Sequence, residues 1–147
     1  MDYRILPVAG TKVCVTYYGR SDEDWDVLVE VGLAFLREQA RLNCPTSYTD
    51  MNRELANRTG LRPFDFDRDD ERAAMGQLLS RITRLDRDER GSPFMISALV
   101  HYLGENDAGD GFYRFAAELG LLSRGASPTA RLDFWIGQCR AVAEAYS

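Results

Sequence analysis

Asn43-Cys44-Pro45-Thr46-Ser47-Tyr48-Thr49-Asp50-Met51-Asn52-Arg53-Glu54-Leu55-Ala56 divides a helix-forming chain at one sharp point. A residue that precedes proline is pushed out of the helical region, so Asn43-Cys44-Pro45 ends one helix. Thr46 and Ser47 carry the side-chain oxygens that accept orphan N–H groups at a helix start, and Tyr48, Met51, Leu55 and Ala56 then follow at helical spacing. Gly60 supplies the left-handed residue that closes this short second helix.

N-terminal to this point, Ser21 followed by Asp22, Glu23 and Asp24 opens a longer helix, because acids suit the positive end of the helix dipole. Trp25, Leu28, Val29, Gly32, Leu33 and Leu36 repeat on one face and carry it to about Leu42. The first twenty residues alternate in a β-like way, Ile5, Leu6 and Val8 before Ala9-Gly10-Thr11-Lys12 and Val13 to Tyr18 after it, which predicts a hairpin with Pro7 on an edge strand.

C-terminal to it, Arg62 to Asp67 predicts a loop that returns Phe64 and Phe66 to the core. A third helix over 69–86 then has Met75, Leu78, Leu79, Ile82 and Leu85 on one apolar stripe. Asp86 to Ser92 reads as a charged run that breaks at Gly91-Ser92-Pro93. Phe94 to Tyr102 is strand-rich in residue type, and Glu105 to Gly111 is a loop. A fourth helix is expected from about Phe112 to Leu122, and a fifth opens at Pro128 with Leu132, Trp135, Ile136, Cys139 and Val142.

Helix, short helix, helix, strand and glycine-rich turn is the order in which a winged helix-turn-helix is assembled. Thr46 to Ala56 resembles the threonine- and tyrosine-started short helix of such domains. The outline also resembles the alkylguanine-DNA alkyltransferases and their catalytically inactive relatives, through Met75-Gly76 and the proline-led segment at Pro93. That family's reactive Pro-Cys-His-Arg is replaced here by Pro93-Phe94-Met95-Ile96, so the resemblance implies a fold without alkyl transfer. Pro93 to Val100 and Gly109 to Phe112 are likewise similar to segments of uncharacterised bacterial winged-helix proteins, which adds no activity.

If such a domain reads DNA, Gln77 on the outward side of the third helix pairs with adenine, and Arg72, Ser80, Arg81 and Arg84 reach guanine edges or phosphates. Arg72 to Leu85 contains three arginines and no acid. Against this, the 147-residue chain carries a net charge of −5, and Glu105, Asp107 and Asp110, with Asn106 among them, put acids at the wing tip, where they repel phosphate. The same arginines equally well solvate a helix and pair with Asp69, Asp88 or Glu89.

Other chemistries find little support. His101 is the single histidine, and nothing local to Cys14, Cys44 or Cys139 activates a thiol. Three widely spaced cysteines fit neither a disulfide framework nor a zinc site. Asp65, Asp67, Asp69, Asp70 and Glu71 lack calcium-loop spacing and suit a helix start. The glycine-rich turn matches no phosphate-binding pattern, so no cofactor, metal or catalytic residue is expected. No apolar run approaches the roughly 20 residues of a membrane span, and no secretory leader is apparent. Seventeen arginines against one lysine fit a GC-rich bacterial or phage gene, with the cytoplasm as the default location.

The expectation is thus one α+β, helix-rich domain over 1–147. It comprises a hairpin (1–20), a winged-helix-like core (21–112) and C-terminal helices (113–147) that cover the core or make a dimer contact. Its first functional reading is a non-enzymatic module for protein association or homodimerisation, with an exposed apolar patch on the last helix or the hairpin. The alternative is a DNA-binding regulator using the helix over 69–86, and a small enzyme using His101 or Cys44 is the remaining class.

Overall fold

The computed structural model describes residues 16–102 and 109–147. Five helices dominate: α1 (Asp22–Arg41), α2 (Tyr48–Thr59), α3 (Asp69–Arg90), α4 (Asp110–Glu118) and α5 (Pro128–Tyr146). Among the described residues, four two-residue strands complete the α+β fold. β1 (Thr16–Tyr17) pairs antiparallel with β2 (Arg20–Ser21), and β3 (Thr46–Ser47) pairs parallel with β4 (Val100–His101). No helix among the described residues is long and apolar enough to cross a membrane.

Local chemistry sets most helix boundaries. Ser21, Ser47 and Ser127 each accept the N–H three residues on, from Asp24, Asp50 and Ala130, and so cap α1, α2 and α5. Gly60 ends α2 with φ +72°, a left-handed conformation that costs glycine nothing. The β1–β2 turn uses Tyr18 at φ +53° and Gly19 at φ +73°. The expected first strand and its turn at residues 9–12 lie outside the described residues, as does the Glu105 to Ala108 part of the expected loop.

α1 is the central post. Its Trp25, Leu28, Leu33, Phe35, Leu36 and Ala40 are buried, and it packs on α2, α3, α5 and the segment after α3. Gly32 sits where a Cβ would come within 2.6 Å of Ile82 Cδ1, so α1 and α3 approach closely there. Phe64 joins this core and Phe66 half-joins it, as expected of the loop. A second, smaller core gathers Met95, Ala98, Phe112, Tyr113, Phe115 and Ala116, with Phe134, Trp135 and Cys139 of α5 packed against it.

Three expectations are corrected. α3 runs one turn beyond Asp86, to Arg90, because Asp86 is fully buried rather than part of a solvated run: it accepts hydrogen bonds from Arg37 and Tyr146. Phe94 to Tyr102 is not an extended strand. Residues Ile96–Leu99 form a 3-10 turn, and only Val100–His101 pair, since the segment is covered by α1, α3 and α5 and finds just Thr46–Ser47 as a strand partner. α4 stops at Glu118, where Gly120 (φ +76°) lets the Leu121 N–H return to the Ala116 carbonyl.

Candidate interaction surfaces

Amphipathic spacing puts Arg72, Gln77, Ser80, Arg81 and Arg84 on one helix, α3, and the structure keeps them there while sending their side chains apart. Arg72 pairs with Asp69 and donates to the Phe66 carbonyl, closing the loop before α3. Gln77 is exposed, and the Ser80 hydroxyl donates to the Gly76 carbonyl at 3.0 Å. The Arg81 guanidinium lies 4.6 Å from the Trp25 ring centre and 5.5 Å from that of Tyr17, on the α1 side. Arg84 goes the other way, to 4.9 Å from the Phe115 ring of α4. Contacts of this kind are worth about 0.5–1 kcal/mol at exposed sites, enough to bias a long side chain.

Next to this face is a cleft of about 40 Å³ between Gly76, Ser80, Tyr48, Ser97 and Phe112. It is a site for roughly two or three waters rather than for a ligand. Burial, with Tyr102 beside it at 4.8 Å between ring centres, raises the Tyr48 hydroxyl above its ordinary range.

The surface with unsatisfied apolar character is on α5. This helix buries only Val142 and Tyr146 fully, while Phe134, Trp135, Gln138 and Cys139 are half-covered by the smaller core. The Trp135 indole donates to the Ala98 carbonyl at 2.8 Å, and Gln138 accepts the Met95 N–H at 2.7 Å, which fixes the helix's rotation. Leu132 and Ile136, taken from the sequence as part of one inward stripe with Trp135 and Cys139, instead point outward, 41% and 38% exposed. They are one helical turn apart, with exposed Asp133, Gly137 and Arg140 around them. Among the described residues neither Asp133 nor Arg140 has an ion-pair partner. The clue in the sequence is that α5 is apolar on two sides, more than one buried stripe can use.

Two buried ionic clusters brace the fold. Arg20 and Glu71, both nearly inaccessible, pair through two hydrogen bonds of 2.9 and 3.2 Å, and the Arg20 guanidinium lies 3.9 Å from the Phe64 ring centre. Burial alone would raise the Glu71 pKa. Hydrogen bonds from Arg20, the Asp65 N–H and Arg62 outweigh it and hold the carboxyl at about 2, so it stays ionised. In the second cluster, Asp86 accepts from Arg37 at 3.1 Å and from the Tyr146 hydroxyl, and Arg37 also pairs with Glu89.

The thiols and the histidine are held separately. Cys139 lies 3.5 Å from the Ala98 carbonyl, and burial pushes its thiol up to about 11. Cys44 is exposed, and His101 Nδ1 is 3.0 Å from the Tyr102 carbonyl. No hydrogen bond joins His101 to Cys44 or Cys139 among the described residues, and Cys14 lies outside them. Nor is any group of three or more His, Cys, Asp and Glu there arranged to hold a metal ion.

The chain matches none of the family models, curated proteins or solved structures with which it was compared. Its functional reading therefore rests on its own geometry.

Proposed function

We propose that this chain is a non-enzymatic binding module that pairs with a second copy of itself through the outward face of α5. The observation that carries the reading is the self-complementary order of that face. In an isologous contact, residues i and j exchange places across a two-fold axis. An axis through the midpoint of Ile136 and Gly137, with the two helices antiparallel, sets Ile136 of one copy against Gly137 of the other. It sets Asp133 opposite Arg140 twice over, with exposed Leu132 at the margin of the contact. Asp133 and Arg140 are seven residues apart, about 10 Å along the helix, so both cross-pairs form on the same face.

The scaffold beneath is read as winged-helix-like, with α1, α2 and α3 as the three helices and β4 as the start of the wing, in a cytoplasmic setting. DNA binding through α3 stands second. Its arginines are drawn sideways onto Trp25, Tyr17 and Phe115, and Arg72 is tied to Asp69, so fewer guanidinium donors face outward than the sequence offers.

Light scattering after size exclusion, over a concentration series, tests the pairing. The chain is expected to run toward a dimer. Asp133→Arg and Arg140→Asp each shift it to monomer by putting like charges opposite one another, and the double reversal restores the dimer. A wild-type chain that is monomeric throughout, or single reversals that leave the mass unchanged, overturns the proposal.

A further inference from the structure

On the far side of α5 from Ile136, where α4 and α5 meet, three arginines from three separate chain segments converge on an open cavity of about 360 Å³. Arg114 comes from the middle of α4, Arg124 from the loop between the helices, and Arg131 from the first turn of α5. We propose that this cavity binds a small phosphorylated anion, independently of any pairing through the outer face.

The arginines are presented by ordered backbone. After α4, the Leu121 N–H closes on the Ala116 carbonyl, and Leu121 and Leu122 pack against the smaller core. Arg124 then sits in a turn closed by the Ala126 N–H on the Ser123 carbonyl at 3.1 Å. Directly afterwards Ser127 caps α5, whose first turn carries Arg131 with its guanidinium 5.3 Å from the Tyr113 ring centre. An anion arriving here meets guanidinium groups carried on three separate segments of ordered backbone.

Charge balance shows that the lining is not self-neutralised. Three arginines face a single carboxylate, Asp110, giving the cavity a net charge of +2 in a chain whose total is −5. Asp110 is 87% exposed and stands 3.6 Å from Arg131, a weak pair in water that an incoming anion can displace. Among the described residues neither Arg114 nor Arg124 has a hydrogen-bond or ion-pair partner.

The shape of the charge selects the ligand class. Guanidinium groups carried on three separate segments offer several forks to the terminal oxygens of a phosphate monoester, whereas a planar carboxylate satisfies one fork at a time. A volume of about 360 Å³ is at the small end of ligand sites and suits a phosphorylated metabolite rather than a polymer.

The test is isothermal titration of the full chain with pyrophosphate at low ionic strength, with acetate as the planar, singly charged comparison. Saturable binding of pyrophosphate, with acetate much weaker, is expected. Arg114→Gln and Arg124→Gln should each weaken pyrophosphate binding about tenfold or more, while Arg41→Gln, an exposed arginine on α1, leaves it unchanged. All three sites are on the surface, and circular dichroism checks that the variants are folded. Absence of saturable binding, equal binding of acetate, or indifference to both cavity substitutions overturns the proposal.

Discussion

Replacing Glu71 by glutamine keeps the shape of a buried side chain and removes its charge, which leaves Arg20, only 3% exposed, without its counter-ion. Breaking one partner of a buried pair costs about 3–5 kcal/mol. The titration of Glu71 gives a second, independent magnitude. Its carboxyl is held at about 2 in the folded chain against a reference value of 4.5. A depressed folded pKa contributes stability that is complete above the unfolded value and is lost as pH falls through the folded one. The difference, at about 1.4 kcal/mol per pH unit, is roughly 3 kcal/mol in full and about 2 kcal/mol by pH 3. Urea unfolding followed by tryptophan fluorescence, at one protein concentration and at both pH 7 and pH 3, reads both quantities. Glu71→Gln should cost about 3 kcal/mol or more at pH 7, and its deficit against the wild type should shrink by about 2 kcal/mol at pH 3. Parallel pH curves for the two proteins between pH 5 and 2 would refute the assignment of Glu71 as an ionised structural anchor.

Tyr146→Phe deletes one donor to the fully buried Asp86 and should cost about 1–3 kcal/mol in the same urea experiment, whereas an unchanged midpoint would mean that Arg37 alone satisfies the carboxylate. Alkylation by iodoacetamide at pH 8 should label exposed Cys44 well before Cys139, whose thiol is pushed up to about 11 by burial, with Cys139 reacting readily only once urea unfolds the chain. Mass spectrometry of the digested protein distinguishes the two, and equal rates would contradict the packing of α5.

The parts of the fold that were legible in the sequence are those set by local chemistry. Ser21, Ser47 and Ser127 announce α1, α2 and α5 because a cap and the N–H it accepts are only three residues apart. Asp86 misled because its partners, Arg37 and Tyr146, are 49 and 60 residues away, and a charged run gives no sign that one of its members is buried. Glu71 reads as one more helix-start acid for the same reason, although its true partner is Arg20. The β-type residues of Phe94 to Val100 reflect full burial rather than pairing, since tertiary packing decides the backbone of so short a segment. On the candidate surfaces, periodicity correctly gathers the arginines on α3 but cannot reveal aromatic rings contributed by Trp25 and Phe115. On α5, two apolar sides leave the inward one undetermined until Trp135 and Gln138 bond to the segment after α3.

Ser47 serves two masters: it caps the first turn of α2, and it stands opposite His101 in the two-residue parallel bridge. The intervening fifty-odd residues hold α2 and α3, so the bridge closes a long loop whose entropy is recovered only after those helices have docked. It is thus a late event in folding and an early one to open. When it opens, the strain reaches the cap, and loss of the bridge is felt as loosening of α2. Amide exchange at Asp50 and at the β3–β4 bridge should accordingly rise and fall together, although about a third of the 147-residue chain separates Asp50 from β4 in sequence.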